Sequence, residues 1–182
     1  MILFAVLTMA VIPTEADAAI YEDTVRLHIL APSDSAEDQA LKIAVRDLLL
    51  EKYSEELSVN SDAKGALLAI DSLLPDIERD IRVFLLEGGY NYTVRAELCE
   101  EWYDTREYGD LTLPMGNYYS LRITLGEGEG QNWWCVMYPP LCLDVATGTG
   151  GYTDTEQSLV TKGGYRIKFK LLEIISSLSG GR

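Results

Sequence analysis

A chain of 182 residues has room for one domain of ordinary size, and a make-up of 47% apolar and 24% charged residues is that of a folded protein, not a disordered one. Its formal net charge of -14 repels phosphate backbones and anionic lipid, which sets nucleic acid and membrane surfaces aside and leaves protein as the expected class of partner. Residues 1–18 contribute only Glu15 and Asp17 to that balance, so the acidity belongs to the rest of the chain.

The first twenty residues hold an apolar run from Ile2 to Ile12, a breaker at Pro13, and Ala16-Asp17-Ala18, the small-x-small pattern that precedes a signal-peptidase cut. The run is too short to cross the ~30 Å hydrocarbon core of a bilayer as a helix. The expectation is a signal peptide over 1–18, a single domain over 19–182, and export. No Lys or Arg precedes the run, which departs from the usual basic start of a leader.

Val25 to Ala31 alternates Val25, Leu27 and Ile29 against Arg26 and His28, the period of a half-buried strand, and Pro32 ends it. Ser35 with Asp38 three residues on forms an acidic variant of a capping box, so a helix is expected from Ala36. Its apolar stripe is Leu41, Val45, Leu48 and Leu49, with Lys42, Arg46 and Asp47 off it. Ser61 and Asp62 offer a second N-cap ahead of Leu67, Ile70 and Leu74. Pro75, which has no amide donor, is expected to split that helix, and Ile77, Ile81, Phe84 and Leu85 continue the stripe to a stop at Gly88-Gly89.

Tyr90 to Leu98 puts Tyr90, Tyr92, Val94, Ala96 and Leu98 on one face, and Tyr118 to Leu125 and Trp133 to Tyr138 supply two further strands. The glycine-rich stretch between those two is expected to be a hairpin connection. Beyond Leu143 the chain turns small, polar and glycine-rich, which suggests a mobile surface segment, and Phe169, Leu172 and Ile175 mark a final helix. Strands with one apolar face and helices with one apolar stripe must pair in layers. The expected fold is therefore α+β: a single domain with a small, mostly antiparallel sheet, covered on one face by the helices from Ala36 to Gly88.

Little in this sequence assembles into chemistry. Gly126, Gly128 and Gly130 do not make a dinucleotide loop: Gln131 stands where the third glycine is needed, a strand follows instead of a helix, and Glu127 and Glu129 would repel the ligand. His28 is the single histidine, and the three cysteines lack C-x2-C spacing, so no metal site is expected. Ser33 and Asp34 lie near His28 in sequence without forming a recognisable triad, and there is no Asp-Thr-Gly or Asp-Ser-Gly. No catalytic residue, cofactor or metal is expected.

Cys135 and Cys142 bracket a Pro-Pro step, and in an exported chain they are a candidate disulfide; the alternative is two buried thiols, with Cys99 left over in either case. Trp133 and Trp134 are neighbours on a strand and must point to opposite faces. If one anchors the core, the other is open to a protein contact, unless both are buried between layers. The candidate partner-binding residues are Trp133, Trp134, Arg122, Gln131 and Asn132.

Three blocks, VRLHILAPSDSAEDQALKIAVRD (Val25 to Asp47), REYGDLTLPMGNYYSLRITLGEGEGQNWWCVMYPPLC (Arg106 to Cys142) and IKFKLLE (Ile167 to Glu173), resemble the stage II sporulation protein R family, secreted signalling proteins of endospore-forming Firmicutes. The resemblance implies a protein made in the forespore and exported to the space between the forespore and mother-cell membranes. Its implied partner is a membrane-embedded aspartic protease of the mother cell, which it would activate to process pro-sigma-E, and the catalytic aspartates would belong to that partner. The competing classes are a secreted cell-wall hydrolase, using His28 with Asp104 or Asp110, and a wall-associated domain.

Overall fold

A computed structural model describes residues 20–58, 60, 62–108 and 111–138. The expectations for the leader, Ser61, Asp110, Pro139-Pro140, Cys142, the glycine-rich segment and the final helix lie outside these residues. In chain order the elements are β1 (Val25–Leu30), α1 (Ala36–Ser58), α2 (Ala63–Glu87), β2 (Val94–Tyr103), β3 (Arg106–Tyr108), β4 (Leu111–Leu113), β5 (Gly116–Leu125) and β6 (Asn132–Tyr138). The fold is the expected small α+β domain.

Four strands make a mixed sheet in the order β2-β5-β1-β6, and β3 pairs with β4 in a separate two-stranded ribbon. Among the described residues only the β1–β5 pair is parallel. Because side chains alternate along a strand, each cross-strand row belongs to one face. Leu98, Leu121, Leu27 and Cys135 form one row, and Ala96, Ile123, Ile29 and Trp133 the next; both belong to the hydrophobic core against α1 and α2. From the helices come Leu41, Val45, Leu49 and Tyr53 of α1 and Ile70, Ile77, Ile81 and Leu85 of α2. Tyr53 Oη donates to Asp80 at 2.5 Å and Lys52 pairs with the same carboxylate at 2.6 Å, which clips the two helices together.

Four local expectations need correction. α2 is one helix of 25 residues that runs through Pro75. Pro75 is on its exposed side, and so is Asp71, the residue four positions earlier whose carbonyl loses its donor, so water can replace the missing bond. β2 begins at Val94 and continues to Tyr103, while Tyr90 and Tyr92 lie ahead of it and stack with centroids 6.2 Å apart. Lys42 is buried, not off the apolar stripe, because its Nζ reaches across to donate to the Gln131 carbonyl at 2.7 Å.

The fourth correction concerns the glycine-rich loop. β5 and β6 are not neighbours: β1 lies between them, so residues 126–131 pass over the end of β1 where the chain leaves it. That crossing explains the glycines. Gly126 and Gly128 have φ values of 60° and 67°, and a Cβ on Gly130 would meet the Ser33 carbonyl oxygen at 2.3 Å. The Gly130 N–H donates to the Ala31 carbonyl at 2.9 Å, and the Gln131 N–H to Asp34 Oδ1 at 2.7 Å, which fastens the loop to the exit of β1.

Candidate functional site

The second face of the sheet is polar and aromatic. One row reads Glu97, Arg122, His28, Trp134 across all four strands, and the next reads Cys99, Ser120, Arg26, Val136. His28 sits near the centre with both ring nitrogens engaged: Nδ1 is 3.1 Å from each carboxylate oxygen of Glu101, and Nε2 is 3.0 Å from Asn132 Oδ1. Arg122 donates from Nε to Glu97 at 2.9 Å and from Nη1 to Glu101 at 2.9 Å. Tyr103 and Ser120 share a short hydrogen bond, and the buried Arg26 places its guanidinium 4.0 Å from the Tyr103 ring centroid. The β3 strand brings Arg106 over Trp134, 4.1 Å from its centroid.

Electrostatics bind this cluster together. Burial pushes the Glu101 carboxyl up, but the hydrogen bond and charge of His28, with those of Arg122, outweigh it and hold the carboxyl below its ordinary range. Burial lowers Arg122, and its bonds to Glu101 and Glu97 more than reverse that. The Tyr103 hydroxyl and the Cys99 thiol are both pushed up, chiefly by burial. The shifts of Glu101 and Arg122 favour the charged forms that pair with each other.

The structure brings three of the five candidate contact residues to this face: Trp134, Arg122 and Asn132. Trp134 lies 5.6 Å from His28 and 6.5 Å from Tyr103, centroid to centroid, and is half-buried, not open. Trp133 points to the opposite face, as adjacent strand residues must. It packs against the core, with the Arg46 guanidinium 4.9 Å from its ring. Gln131 is an exposed loop residue whose backbone is tied to Lys42 and Asp34. Cys135 is buried on the core side, its candidate partner Cys142 lies outside the described residues, and Cys99 is a free thiol.

Ser33 and Asp34 do not approach His28; Ser33 donates to Asp38 at 2.5 Å, and Asp34 accepts from the loop. Asp104, at the turn after β2, has no hydrogen bond or ion pair among the described residues. Among those residues no group of three or more His, Cys, Asp or Glu is arranged to hold a metal, and no helix is long and apolar enough to cross a membrane. Sequence reasoning missed Glu97, Glu101, Arg26 and Tyr103. The available signal was the odd-numbered face of β2, where Arg95, Glu97, Glu101 and Tyr103 alternate with the core-facing residues.

Residues 21–147 match the family model described as stage II sporulation protein R. The chain belongs to the stage II sporulation protein R family. A relative of that name from Bacillus subtilis (strain 168) is 36% identical over 130 residues, which is 71% of this chain and 58% of the relative. The chain thus spans less than two thirds of that relative's length. No solved structure matches. The stage II sporulation protein R match begins just before β1 and runs past β6, so it takes in both faces of the sheet and the loop across β1.

Proposed function

We propose that this member of the family is an exported signal of endospore formation, not an enzyme, and that it acts by binding and activating a membrane-embedded protease of the mother cell that processes pro-sigma-E. Family membership supports the sporulation context. The geometric observation that carries the non-enzymatic reading is the state of His28, whose two ring nitrogens are taken up by Glu101 and Asn132. A general base needs one nitrogen directed at a nucleophile or water, and of the hydroxyls around Arg26 on this face, those of Tyr103 and Ser120 are bonded to each other and that of Tyr118 donates to the Pro114 carbonyl. The cluster is better suited to holding a surface in shape than to turning over substrate.

On this reading the chain works in the space between the forespore and mother-cell membranes, and the residues displayed from the sheet and loop recognise the partner. Deletion of the gene, followed by measurement of sigma-E-dependent reporter expression during sporulation, tests it; reporter activity equal to that of the parent strain rejects it. Release of soluble fragments from peptidoglycan by the purified chain, lost in His28→Ala, would instead support the wall-hydrolase reading.

A further inference from the structure

The helices leave one end of their sheet face open. There Glu100 and Tyr119 emerge, in a row whose β1 member Val25 stays fully buried, and Trp102 lies beyond them, opposite Asn117. Trp102 is 56% exposed and Tyr119 46%, whereas Leu98 and Leu121 on the same strands pack against the core. Among the described residues these two large aromatics on adjacent strands turn about half of their surface to water, the kind of surface that marks a contact site. Beside them is a cavity of about 230 Å³ lined by Tyr21, Glu22, Glu100, Asn117 and Tyr119. The lining holds two carboxylates and no cation, and among the described residues neither Glu22 nor Glu100 makes an ion pair or a side-chain hydrogen bond.

Among the described residues the backbone at this end is also open. The Gly126 N–H donates to the Thr93 carbonyl at 2.8 Å, so the odd-numbered residues leading into and along β2 direct their backbone groups to β5. Even-numbered residues face away, as the Ala96 N–H shows by donating to a Glu78 carboxylate oxygen of α2 at 3.4 Å. Glu78 covers the edge at Ala96 only. The outward amides and carbonyls of Leu98, Glu100 and Trp102 have no backbone partner among the described residues. An uncovered edge strand is a template for pairing with another extended segment.

We infer that the Leu98–Trp102 edge of β2 docks an extended, lysine- or arginine-bearing segment of a partner protein, which adds as a strand and lays cationic side chains over Trp102 and Tyr119, beside Glu22 and Glu100. The inference rests on the reading of the chain as a protein-recognising signal and names the surface involved. Charge decides the occupant. A cation over an exposed indole or phenol ring is attracted by its face, and the two unpaired carboxylates complement it. A second copy of this edge would instead bring acids against acids, which cross-strand pairing disfavours. Because every second side chain of an added strand points to the same face, the cationic residues of the segment should recur at every second position.

The test is a titration of the ¹⁵N-labelled full chain with a capped octapeptide of alternating threonine and lysine, alongside its threonine and glutamate counterpart, followed by NMR. The lysine peptide is expected to shift the amides of Leu98, Glu100 and Trp102 and the Trp102 indole saturably, and the glutamate peptide to leave them in place. Trp102→Ala and Glu100→Lys should each weaken the binding at least about fivefold without lowering the melting temperature. Absence of shifts, equal shifts with both peptides, or shifts that map away from β2 overturn the inference. In sporulating cells, a deletion that silences the sigma-E reporter together with a Trp102→Ala/Glu100→Lys double variant that signals normally refutes the docking edge alone. A deletion without effect rejects the signalling reading, and the peptide titration still decides the edge.

Discussion

Glu101 on β2 and His28 on β1 are joined across the strand between them, with both carboxylate oxygens of Glu101 3.1 Å from His28 Nδ1. β5 presents the small, fully buried Ser120 between Tyr118 and Arg122, which leaves that path clear. Arg122 binds the same carboxylate, so Glu101 holds two cationic or polar groups in a poorly hydrated place. Glu101→Gln is expected to cost about 1–3 kcal/mol at neutral pH. Because the folded carboxyl is held below its unfolded value, its contribution is present above about pH 5 and is lost as pH falls through the ordinary carboxylate range and below. Urea unfolding of the parent and Glu101→Gln chains at several pH values checks this. The gap between them should close on acidification, and a gap that does not change with pH would show that the carboxylate charge plays no part.

Pro75 interrupts the hydrogen-bond ladder of α2 on a face that meets water. Its replacement restores an amide donor to the Asp71 carbonyl and removes a poor helix former. Pro75→Ala is therefore expected to stabilise the domain by about 1–2 kcal/mol. A melting temperature that falls would mean that the proline fits its local geometry better than alanine does.

Gly130 and Gly89 separate two reasons for using glycine. A Cβ at Gly130 would collide with the Ser33 backbone and push the loop off the end of β1, whereas Gly89 has a φ of 82° and open space around it. Gly130→Ala should cost more than about 2 kcal/mol through steric displacement, and Gly89→Ala about 1 kcal/mol through backbone strain. Equal losses in chemical denaturation would contradict the tight passage of the loop over β1.

The remaining cysteines bear on export. Cys99 is a free thiol, which leaves Cys135 and Cys142 as the pair available for a bridge. Protein recovered from the exterior is expected to carry that disulfide, and its reduction should lower stability by roughly 2–3 kcal/mol. A non-reduced digest analysed by mass spectrometry gives the answer, and free thiols at both positions would remove the disulfide from the account.

Elements with a clear period were legible in the sequence, because alternation alone puts Leu27 and Ile29 on one face and His28 on the other, and three- and four-residue spacing sets Val45 and Leu49 of α1 toward the core. What period cannot give is which strands adjoin. β1 lies between β5 and β6 because a strand near the start of the chain enters a sheet completed about ninety residues later, and no local pattern encodes that partner. The same distance hid the burial of Lys42, whose acceptor is the Gln131 carbonyl, and the closure of Glu101 on His28. The continuous helix through Pro75 was missed for a different reason. Helix propensity at Pro75 is local, whereas Ile70, Ile77 and Ile81 pack into the core and hold the helix together on either side of the break.

The two tryptophans test whether the faces of the sheet have separate roles. Trp133 lies opposite Ile29 and packs against the core beside Arg46, so Trp133→Ala removes apolar contacts on the helix-covered face and should cost about 2–4 kcal/mol. Trp134 lies on the other face beside His28 and Tyr103 with Arg106 over its ring, and Trp134→Ala should cost about 1–2 kcal/mol in aromatic and cation contacts. Both losses fall below the 5–15 kcal/mol typical of a folded domain, so both variants should remain folded at low temperature. If Trp134 belongs to the recognition surface, its variant loses sporulation signalling beyond what its stability explains, while signalling by the Trp133 variant tracks its folded fraction and is restored by Trp133→Phe. Thermal melts and sigma-E reporter activity, measured below both transitions, separate the two effects. Signalling that follows stability alone in both variants would remove Trp134 from the recognition surface.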